Sequence, residues 1–355
     1  MTRESPGPKS REEVKVDLRS DTHTRPTPAM RRAMAEAEVG DDDWGEDPTV
    51  RRLEAAVAER LGHQAALFVP SGTMGNQICL RLAAPAGTEC LAHEDNHIFW
   101  YESGAAPLLS GIQLHAVPGP RGLLDADTAR QRVRTADYGV PTTAIAVEQT
   151  HNRAGGAVQP LGVLQALREL ADDASLHLHC DGARIWNASV ASGVPLDRYG
   201  GLFDSLSVCF SKGLAAPVGS AVVGDRDLVG RARRVRKLLG GGMRQSGVLA
   251  AAALVALDQM VERLADDHAN ARRTASTVAA AVPGSVDPDA VETNMVLLAA
   301  PPFGTDGPGL VKRLADHGVL AAATGPDQVR LVFHYEVGPR DADRAAAAVV
   351  AAAGA

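Results

Sequence analysis

The sequence of 355 residues is poor in aromatic side chains, because Phe, Trp and Tyr together make up only 4% of it. The core must therefore consist mainly of Ala, Val and Leu. Hydrophobic residues account for 45% of the chain and charged residues for 22%, a balance that excludes a disordered protein. No apolar run approaches the roughly 18 residues of a membrane-spanning helix, so we expect no membrane partner.

Cysteine is also scarce, and the spacing of the four cysteines excludes a CxxC motif. They lie far apart in apolar segments, as Cys79, Cys90, Cys180 and Cys209. This pattern argues against a disulfide framework and predicts buried free thiols in a reducing, cytoplasmic compartment. The polar segment 1–15 lacks the apolar stretch of a signal peptide, which favours the same location.

The chain has no excess of positive charge, since its formal net charge is −7. This balance argues against nucleic acid as a partner. The segment 231–244 is basic nevertheless. It leaves a nucleic-acid-binding protein open as an alternative, which predicts salt-dependent binding.

Short apolar segments alternate with helical patterns from residue 14 onward. Buried strands are predicted at 65–70, 144–147, 176–180 and 205–210, and helices at 49–61, 72–82 and 161–172. This alternation indicates an α/β fold with a mainly parallel central sheet flanked by helices. In such sheets ligands bind beyond the carboxyl ends of the strands.

The composition changes after about residue 258. The pattern there predicts a long helix over 258–281 and strands at 293–299 and 328–333, which indicates a smaller α+β domain. We therefore predict a flexible N-terminal arm (1–13), a large α/β domain (14–262) and a small C-terminal domain (263–355).

Lysine is rare, with five copies among 36 basic residues. Lys212 differs from the other four because it follows an apolar strand directly and precedes a glycine-rich turn. A partly desolvated amine at a strand end is a nucleophile suited to Schiff-base chemistry. The alternative is a lysine that ends the strand and reaches solvent.

Asp181 follows the preceding strand, in the sequence Asp-Gly-Ala-Arg. A carboxylate at this point can pair with a cationic ring nitrogen. Arg184 offers a planar guanidinium that matches a carboxylate. A helix N-cap with a local ion pair is the simpler alternative.

The segment 70–76, Pro-Ser-Gly-Thr-Met-Gly-Asn, follows a strand and begins a helix. Free N–H groups at such a helix start suit a phosphate. The segment lacks the lysine of a Walker A loop and the three glycines of a dinucleotide fingerprint. Combined with Lys212 and Asp181, it indicates pyridoxal 5′-phosphate as the cofactor.

A series of short motifs, in the expected order, resembles low-specificity L-threonine aldolases of the β-eliminating-lyase group, which are fold-type-I pyridoxal-phosphate enzymes. The motifs are DLRSDT (17–22), VGDDDWGEDP (39–48), PSGTMGN (70–76), His97, EQTHN (148–152), DGARI (181–185), SKG (211–213), PVGS (217–220) and GGGMRQSG (240–247). The resemblance implies a lyase that cleaves L-threonine or L-allo-threonine to glycine and acetaldehyde. Transaldolation, phenylserine cleavage and β-elimination are alternatives with the same cofactor.

The resemblance also implies roles toward the cofactor. Lys212 would carry it as a Schiff base, Asp181 would contact its pyridine nitrogen, and Gly72 and Thr73 would hold its phosphate. Arg184 would lie at the same site.

Two basic residues, Lys237 and Arg244, match side chains that reach the phosphate from a neighbouring subunit. The resemblance therefore implies a homo-oligomer, which is at least a dimer and in this family a tetramer.

The substrate is implied to be a small β-hydroxy amino acid. Ser20, Arg184 and Arg330 match the anchors of its carboxylate. His97 matches the histidine that stacks on the cofactor ring and positions the base or a water. His151 is a second histidine considered for the base.

Two positions depart from the family pattern, and both concern the substrate side. Trp44 stands where the family usually has Tyr, and Tyr138 stands where some members have a histidine. We expect these changes to affect the preferred β-substituent and the threo/erythro selectivity.

His177 and His179 lie on one face of the strand that leads to Asp181. With that aspartate they could form a metal-dependent hydrolase. We predict instead that both histidines pack inside the fold and that the protein holds no metal.

Overall fold

The computed structural model describes residues 16–135 and 139–354, which form two compact units. One unit comprises residues 24–265, and the other combines 16–23 with 266–354. The strands are β1 (Val16–Asp17), β2 (Ala65–Val69), β3 (Glu89–His93), β4 (Gln113–Val117), β5 (Thr142–Glu148), β6 (His177–Gly182), β7 (Ser205–Cys209), β8 (Ser220–Gly224), β9 (Met295–Ala299), β10 (Val319–Leu320), β11 (Ala322–Gly325) and β12 (Gln328–Val332).

Helices connect most of these strands. They are α1 (Pro28–Ala35), α2 (Pro48–Arg60), α3 (Gly72–Ala83), α4 (His97–Trp100), α5 (Ala105–Ser110), α6 (Ala126–Arg130), α7 (Leu161–Asp173), α8 (Ile185–Ser192), α9 (Leu196–Gly200), α10 (Arg226–Leu238), α11 (Gly247–Gln259), α12 (Leu264–Ala281), α13 (Gly307–Asp316) and α14 (Pro339–Ala351).

The unit of residues 24–265 contains a seven-stranded sheet in the order β2-β8-β7-β6-β5-β3-β4. Strand β8 runs antiparallel to both of its neighbours, whereas β7, β6, β5, β3 and β4 pair in parallel. Strands β7 and β8 are buried along their whole length, as expected where helices cover both faces of a sheet. The predicted mainly parallel central sheet is confirmed.

Aliphatic side chains hold the helices against this sheet. Leu67 and Val222 on the sheet pack with Ile78 on α3 and with Val229 and Val235 on α10. Burial of each such side chain stabilises the fold by about 1.5–3 kcal/mol. The core is therefore aliphatic, as the low aromatic content predicts.

The second unit has its own core and two small sheets. Strand β1 pairs in parallel with β10, and the antiparallel strands β11, β12 and β9 form the other sheet. Val16 and Leu18 are buried in this core together with Leu331 and Phe333. Residues 16–23, assigned from the sequence to the large domain, thus pack with the C-terminal segment, because pairing β1 with β10 buries their apolar side chains.

The long helix predicted over 258–281 is wrong in one respect. Helix α11 ends at Gln259, and the chain turns before α12 begins at Leu264. Met260 and Val261 in the turn are buried. Packing of these two apolar residues bends the chain where the local pattern predicts a continuous helix.

The four cysteines are free and buried, as predicted. Burial raises the pKa of the Cys79 and Cys90 thiols to about 12, so neither is a nucleophile near neutral pH. Across residues 16–135 and 139–354, every helix is too short or too polar to cross a membrane.

The end of α9 packs against the backbone at the end of α2. A Cβ atom added to Gly200 would lie 2.0 Å from the carbonyl oxygen of Leu61. Because neither backbone can give way cheaply, Gly200→Ala should lower the free energy of unfolding by about 1–3 kcal/mol. Gly162→Ala is the control, since it adds a methyl group to open space on α7 and should stabilise by about 0.5–1 kcal/mol. Urea denaturation at fixed protein concentration measures both, and equal midpoints would contradict the prediction.

Candidate active site

The carboxyl ends of three adjacent parallel strands define the site. Register pairing places Glu148 at the end of β5 beside Asp181 of β6, and Asp181 beside Ser207 of β7. Lys212 is the third residue after the end of β7. The sheet thus brings together residues far apart in the sequence, at the edge where ligands bind in this class of fold.

Asp181 is buried, and hydrogen bonds hold both of its carboxylate oxygens. Oδ2 accepts from Asn76 Nδ2 at 2.8 Å, and Oδ1 accepts from the Ala183 amide at 3.2 Å. Burial by itself raises the pKa of Asp181. The nearby charges of His97 and Lys212 outweigh burial, so the pKa lies below its ordinary value. Asp181 is therefore an ionised carboxylate inside the protein, suited to binding a protonated ring nitrogen.

His97 begins the short helix α4 after β3. Its backbone N–H donates to Glu148 Oε2 at 2.8 Å, and its ring Nδ1 lies 2.9 Å from Glu102 Oε1 and 4.0 Å from Asp181 Oδ2. Burial lowers the pKa of His97, but the hydrogen bond to Glu102 and the surrounding carboxylates outweigh burial and raise it. The predicted ring-stacking histidine thus lies beside the predicted ring-nitrogen partner.

Asn76, on α3, connects two buried carboxylates. Its Nδ2 donates to Glu102 Oε1 at 2.7 Å as well as to Asp181. Its Oδ1 lies 3.2 Å from His179 Nε2. The amide of Asn76 therefore separates two negative charges that would otherwise face each other.

Lys212 is held through its backbone and only partly buried. Its carbonyl oxygen accepts from the Ala215 amide at 2.8 Å and from Thr24 Oγ1 at 3.1 Å. Its charge is close enough to lower the pKa of Asp181. These contacts fix the start of the side chain while leaving the amine near the carboxylate.

The predicted phosphate site is the first turn of α3. Ser71 caps this helix by accepting from the Met74 amide at 3.2 Å. The N–H groups of Gly72 and Thr73 have no partner within the helix, as at every helix start. A Cβ atom on Gly72 would lie 2.7 Å from Cys209 Sγ, so glycine here allows the turn to approach the end of β7.

Arg184 follows Asp181 and is buried. Its Nη1 lies 3.4 Å from the side-chain oxygen Oδ1 of Asn152, and the backbone N–H of Asn152 donates to Glu148 Oε1 at 2.9 Å. The guanidinium is thus placed at the ends of β5 and β6, on the same edge of the sheet as Asp181.

Lys237 and Arg244 contact the acidic loop that follows α1. Lys237 pairs with Asp43, and Arg244 Nη1 lies 3.2 Å from Asp41 and 3.3 Å from Asp43. Trp44, in the same loop, is 78% exposed. Both basic side chains lie more than half in solvent, and their implied reach to a neighbouring subunit's phosphate stays a prediction.

Two implied substrate anchors belong to the other unit. Ser20 accepts a hydrogen bond from Thr22 Oγ1 at 2.9 Å, and Arg330 lies on β12 opposite Leu297 of β9. Tyr138 lies outside the described residues. The substrate roles of all three stay predictions.

His177 and His179 are held by contacts within the fold. His179 is buried, with Nδ1 3.0 Å from Ser205 Oγ and Nε2 beside Asn76, and burial lowers its pKa to about 4. His177 Nε2 lies 2.8 Å from the same Ser205 hydroxyl. Because His179 uses both ring nitrogens in this way, the metal hydrolase built on His177, His179 and Asp181 loses a ligand.

Three ligand-type side chains do lie together, namely His97, Glu102 and Asp181. The Asn76 amino group lies at hydrogen-bond distance from both carboxylates. This donor group occupies the place where a cation would have to bind.

His151, the second candidate base, is fully buried, and burial lowers its pKa.

Sequence reasoning missed Asn76, Gln77 and Glu102. Asn76 ends the predicted phosphate segment 70–76, but no role was assigned to it or to the other two. Their only local signal is position, since Asn76 lies one helical turn after the predicted phosphate turn and Glu102 lies five residues after His97.

Comparison with known proteins agrees with this geometry. The beta-eliminating lyase family matches residues 17–301. A probable low-specificity L-threonine aldolase 2 of Arabidopsis thaliana is 44% identical over 92% of this chain and 94% of its own. The low specificity L-threonine aldolase of Escherichia coli (strain K12) is 40% identical over 91% of this chain and 94% of its own.

A solved structure of threonine aldolase from Leishmania major has the same fold. Its TM-score is 0.78 at 18% identity, and the match covers 94% of this chain and 98% of that one. Fold and site together define a pyridoxal-phosphate-dependent enzyme of fold type I. The chain belongs to the beta-eliminating lyase family. Within that family it is similar to the low-specificity threonine aldolases, as predicted from its motifs.

Proposed function

We propose that this protein is a lyase that uses pyridoxal 5′-phosphate to cleave L-threonine and L-allo-threonine into glycine and acetaldehyde. One observation carries the proposal: a buried ionised Asp181 lies at the end of β6 beside His97, and the rare Lys212 follows the adjacent strand β7. The names of its relatives support the same reaction.

The residues present fit the cofactor. A buried carboxylate that accepts from Asn76 and the Ala183 amide retains acceptor capacity for a protonated ring nitrogen. The first turn of α3 presents N–H groups to a phosphate, and the Lys212 amine lies near the carboxylate. When bound, pyridoxal 5′-phosphate would supply an electron sink for the bonding pair released at the substrate's α-carbon.

The remaining steps belong to the chain's own side chains. Lys212 would hold the cofactor covalently, and Asp181 would keep its ring nitrogen protonated. Arg184 would bind the substrate carboxylate so that the Cα–Cβ bond stands in the orientation that breaks.

Proton transfer is assigned to His97. Its Nδ1 is engaged with Glu102, so Nε2 is the nitrogen that can take the proton of the β-hydroxyl group or orient a water that does. Loss of that proton turns the C–O bond into the aldehyde carbonyl as the Cα–Cβ bond breaks. A proton added to Cα completes glycine.

We also propose that the protein is a cytoplasmic homo-oligomer, at least a dimer, with no nucleic-acid partner. Four buried free thiols support a reducing compartment. Five basic residues of segment 231–244 pair with acidic side chains, namely Arg231, Arg233, Arg236, Lys237 and Arg244. These pairings support a structural role for the basic segment over nucleic-acid binding.

The reaction can be tested by product analysis of the purified holoenzyme. We expect acetaldehyde and glycine from L-threonine and L-allo-threonine, and the corresponding aldehyde from phenylserine. Release of a 2-oxo acid from threonine or serine would instead identify β-elimination. Absence of aldehyde from every β-hydroxy amino acid would overturn the proposal.

A further inference from the structure

Glu102 is the most completely engaged side chain of the site. Its side chain is fully shielded from solvent. Oε1 accepts from Asn76 Nδ2 at 2.7 Å and faces His97 Nδ1 at 2.9 Å, while Oε2 accepts from Gln77 Nε2 at 2.6 Å. A buried carboxylate is very costly without partners, and this one has three.

The orientation of the Asn76 amide follows from its neighbours. Its two Nδ2 hydrogens serve Glu102 and Asp181. The opposite orientation would place a carbonyl oxygen between two carboxylates, which is repulsive. With Oδ1 toward His179, Nε2 of that ring is the nitrogen that faces the Asn76 oxygen, while its Nδ1 lies 3.0 Å from the Ser205 hydroxyl and 3.2 Å from the Ser205 carbonyl oxygen. The two carboxylates therefore fix the orientation of the Asn76 amide.

The same logic fixes the tautomer of His97. A carboxylate oxygen that already accepts from Asn76 has no proton to offer, so Nδ1 of His97 must donate to it. In the neutral ring the lone pair then resides on Nε2. Asp181 and Glu148 are the other acidic groups that face this ring, and the Tyr101 ring packs against it.

We infer that Glu102 is a positioning residue that holds His97 in the Nδ1–H tautomer and, through Asn76, fixes the orientation of the Asp181 carboxylate. Glu102 thus sets both the position of the His97 proton and the orientation of Asp181, and it does so without contact with the substrate. The inference rests on the proposed function, because that function gives His97 and Asp181 their roles.

The first test uses the unmodified holoenzyme. Nitrogen-15 labelling of histidine and two-dimensional NMR distinguish the two neutral tautomers, with His97→Asn identifying the signal. We expect the neutral His97 ring to be in the Nδ1–H form at pH values above its raised pKa. The Nε2–H form would overturn the inference, and this result needs no variant at position 102.

The second test is Glu102→Gln, which keeps the shape and removes the charge. We expect the pKa of His97 to fall, its tautomer to become mixed, and kcat to drop by about 10- to 100-fold. The acid limb of the pH profile should move in the same direction as that pKa. An unchanged His97 titration, with only a lower unfolding temperature, would show that Glu102 is merely structural.

The matched control is Glu89→Gln. Glu89 is equally buried, accepts from Thr142 Oγ1 at 2.8 Å and faces His115 Nδ1 at 3.2 Å. It lies where β3 begins, however, at the opposite edge of the sheet from the site. This variant should leave the titration of His97 unchanged. A His97 shift in the control would overturn the assignment to Glu102.

The two proposals fail separately. If the unmodified enzyme releases no aldehyde but Glu102→Gln shifts the His97 titration, the proposed reaction is wrong and the positioning role holds. If aldehyde forms but His97 titrates identically in both proteins, the reaction holds and the role of Glu102 is overturned.

Discussion

Lys212→Ala is expected to abolish the visible absorbance band of the bound cofactor and to lower kcat for threonine cleavage by about 10³-fold or more. The amine lies close enough to Asp181 for its charge to lower that carboxyl's pKa, and it is the nucleophile that would bind the cofactor covalently. Alanine removes the amine, but the backbone contacts to Ala215 and Thr24 can persist. Absorption spectra and aldehyde release by the reconstituted variant provide the measurement.

Lys312→Ala is the matched control, because that lysine lies exposed on α13. It should retain both the spectrum and the activity of the unmodified enzyme. A Lys212→Ala protein that keeps the band and more than a tenth of kcat would remove Lys212 from the proposed chemistry.

Lys212 and Asp181 were predictable from the sequence for a local reason. Each follows a short apolar segment directly, and a parallel sheet brings such strand ends to one edge. The adjacent pairing of β6 with β7 needed no knowledge of the full strand order. The buried strands were predictable because both faces are covered and the residues are continuously apolar.

Other strands of the same sheet lack that pattern. Strand β4 pairs only with β3 and contains Gln113 and His115, so its residues do not form an apolar run. The reversed strand β8 is apolar, but its direction follows from pairing with β2 and β7. Sheet order and strand direction are tertiary properties, and a single sequence without an alignment does not carry them.

The polar network of the site was missed for a similar reason. Asn76 and Glu102 are 26 residues apart, and Asn76 and Asp181 are 105 apart. An asparagine in a helix and a glutamate after an aromatic stretch are individually typical of exposed positions. Only the fold shows that one amide joins two buried carboxylates.

The acidic loop and the basic helix show the same limitation. Arg236 is buried and pairs with Asp42 at 2.8 Å, although 194 residues separate them in the chain. The acidic loop and the basic helix α10 are each typical of an exposed charged surface when only their own sequences are considered. Their pairing within one subunit became visible only when α10 and the loop were placed together.

Asp181→Asn is the second substitution with a large expected effect. Removing one partner of a buried charge pair costs about 3–5 kcal/mol, and a loss of that size in the transition state corresponds to a fall in kcat of roughly 10²- to 10⁴-fold. Asparagine keeps an acceptor for Asn76 but offers no anion to a protonated ring nitrogen. Steady-state cleavage of threonine and the pH dependence of the cofactor's absorbance measure the two consequences.

The acid stability of the folded protein gives an independent readout of the same carboxyl. Because the pKa of Asp181 is lowered in the folded state, its ionisation stabilises the fold above the ordinary aspartate pKa, and this contribution is lost as the pH falls through the lowered value. Asp181→Asn should therefore flatten the acid side of the stability curve. Asp258→Asn, which breaks only an exposed pair with Arg60, should change neither stability nor activity appreciably. Full activity in Asp181→Asn would show that the ring nitrogen needs no anionic partner here.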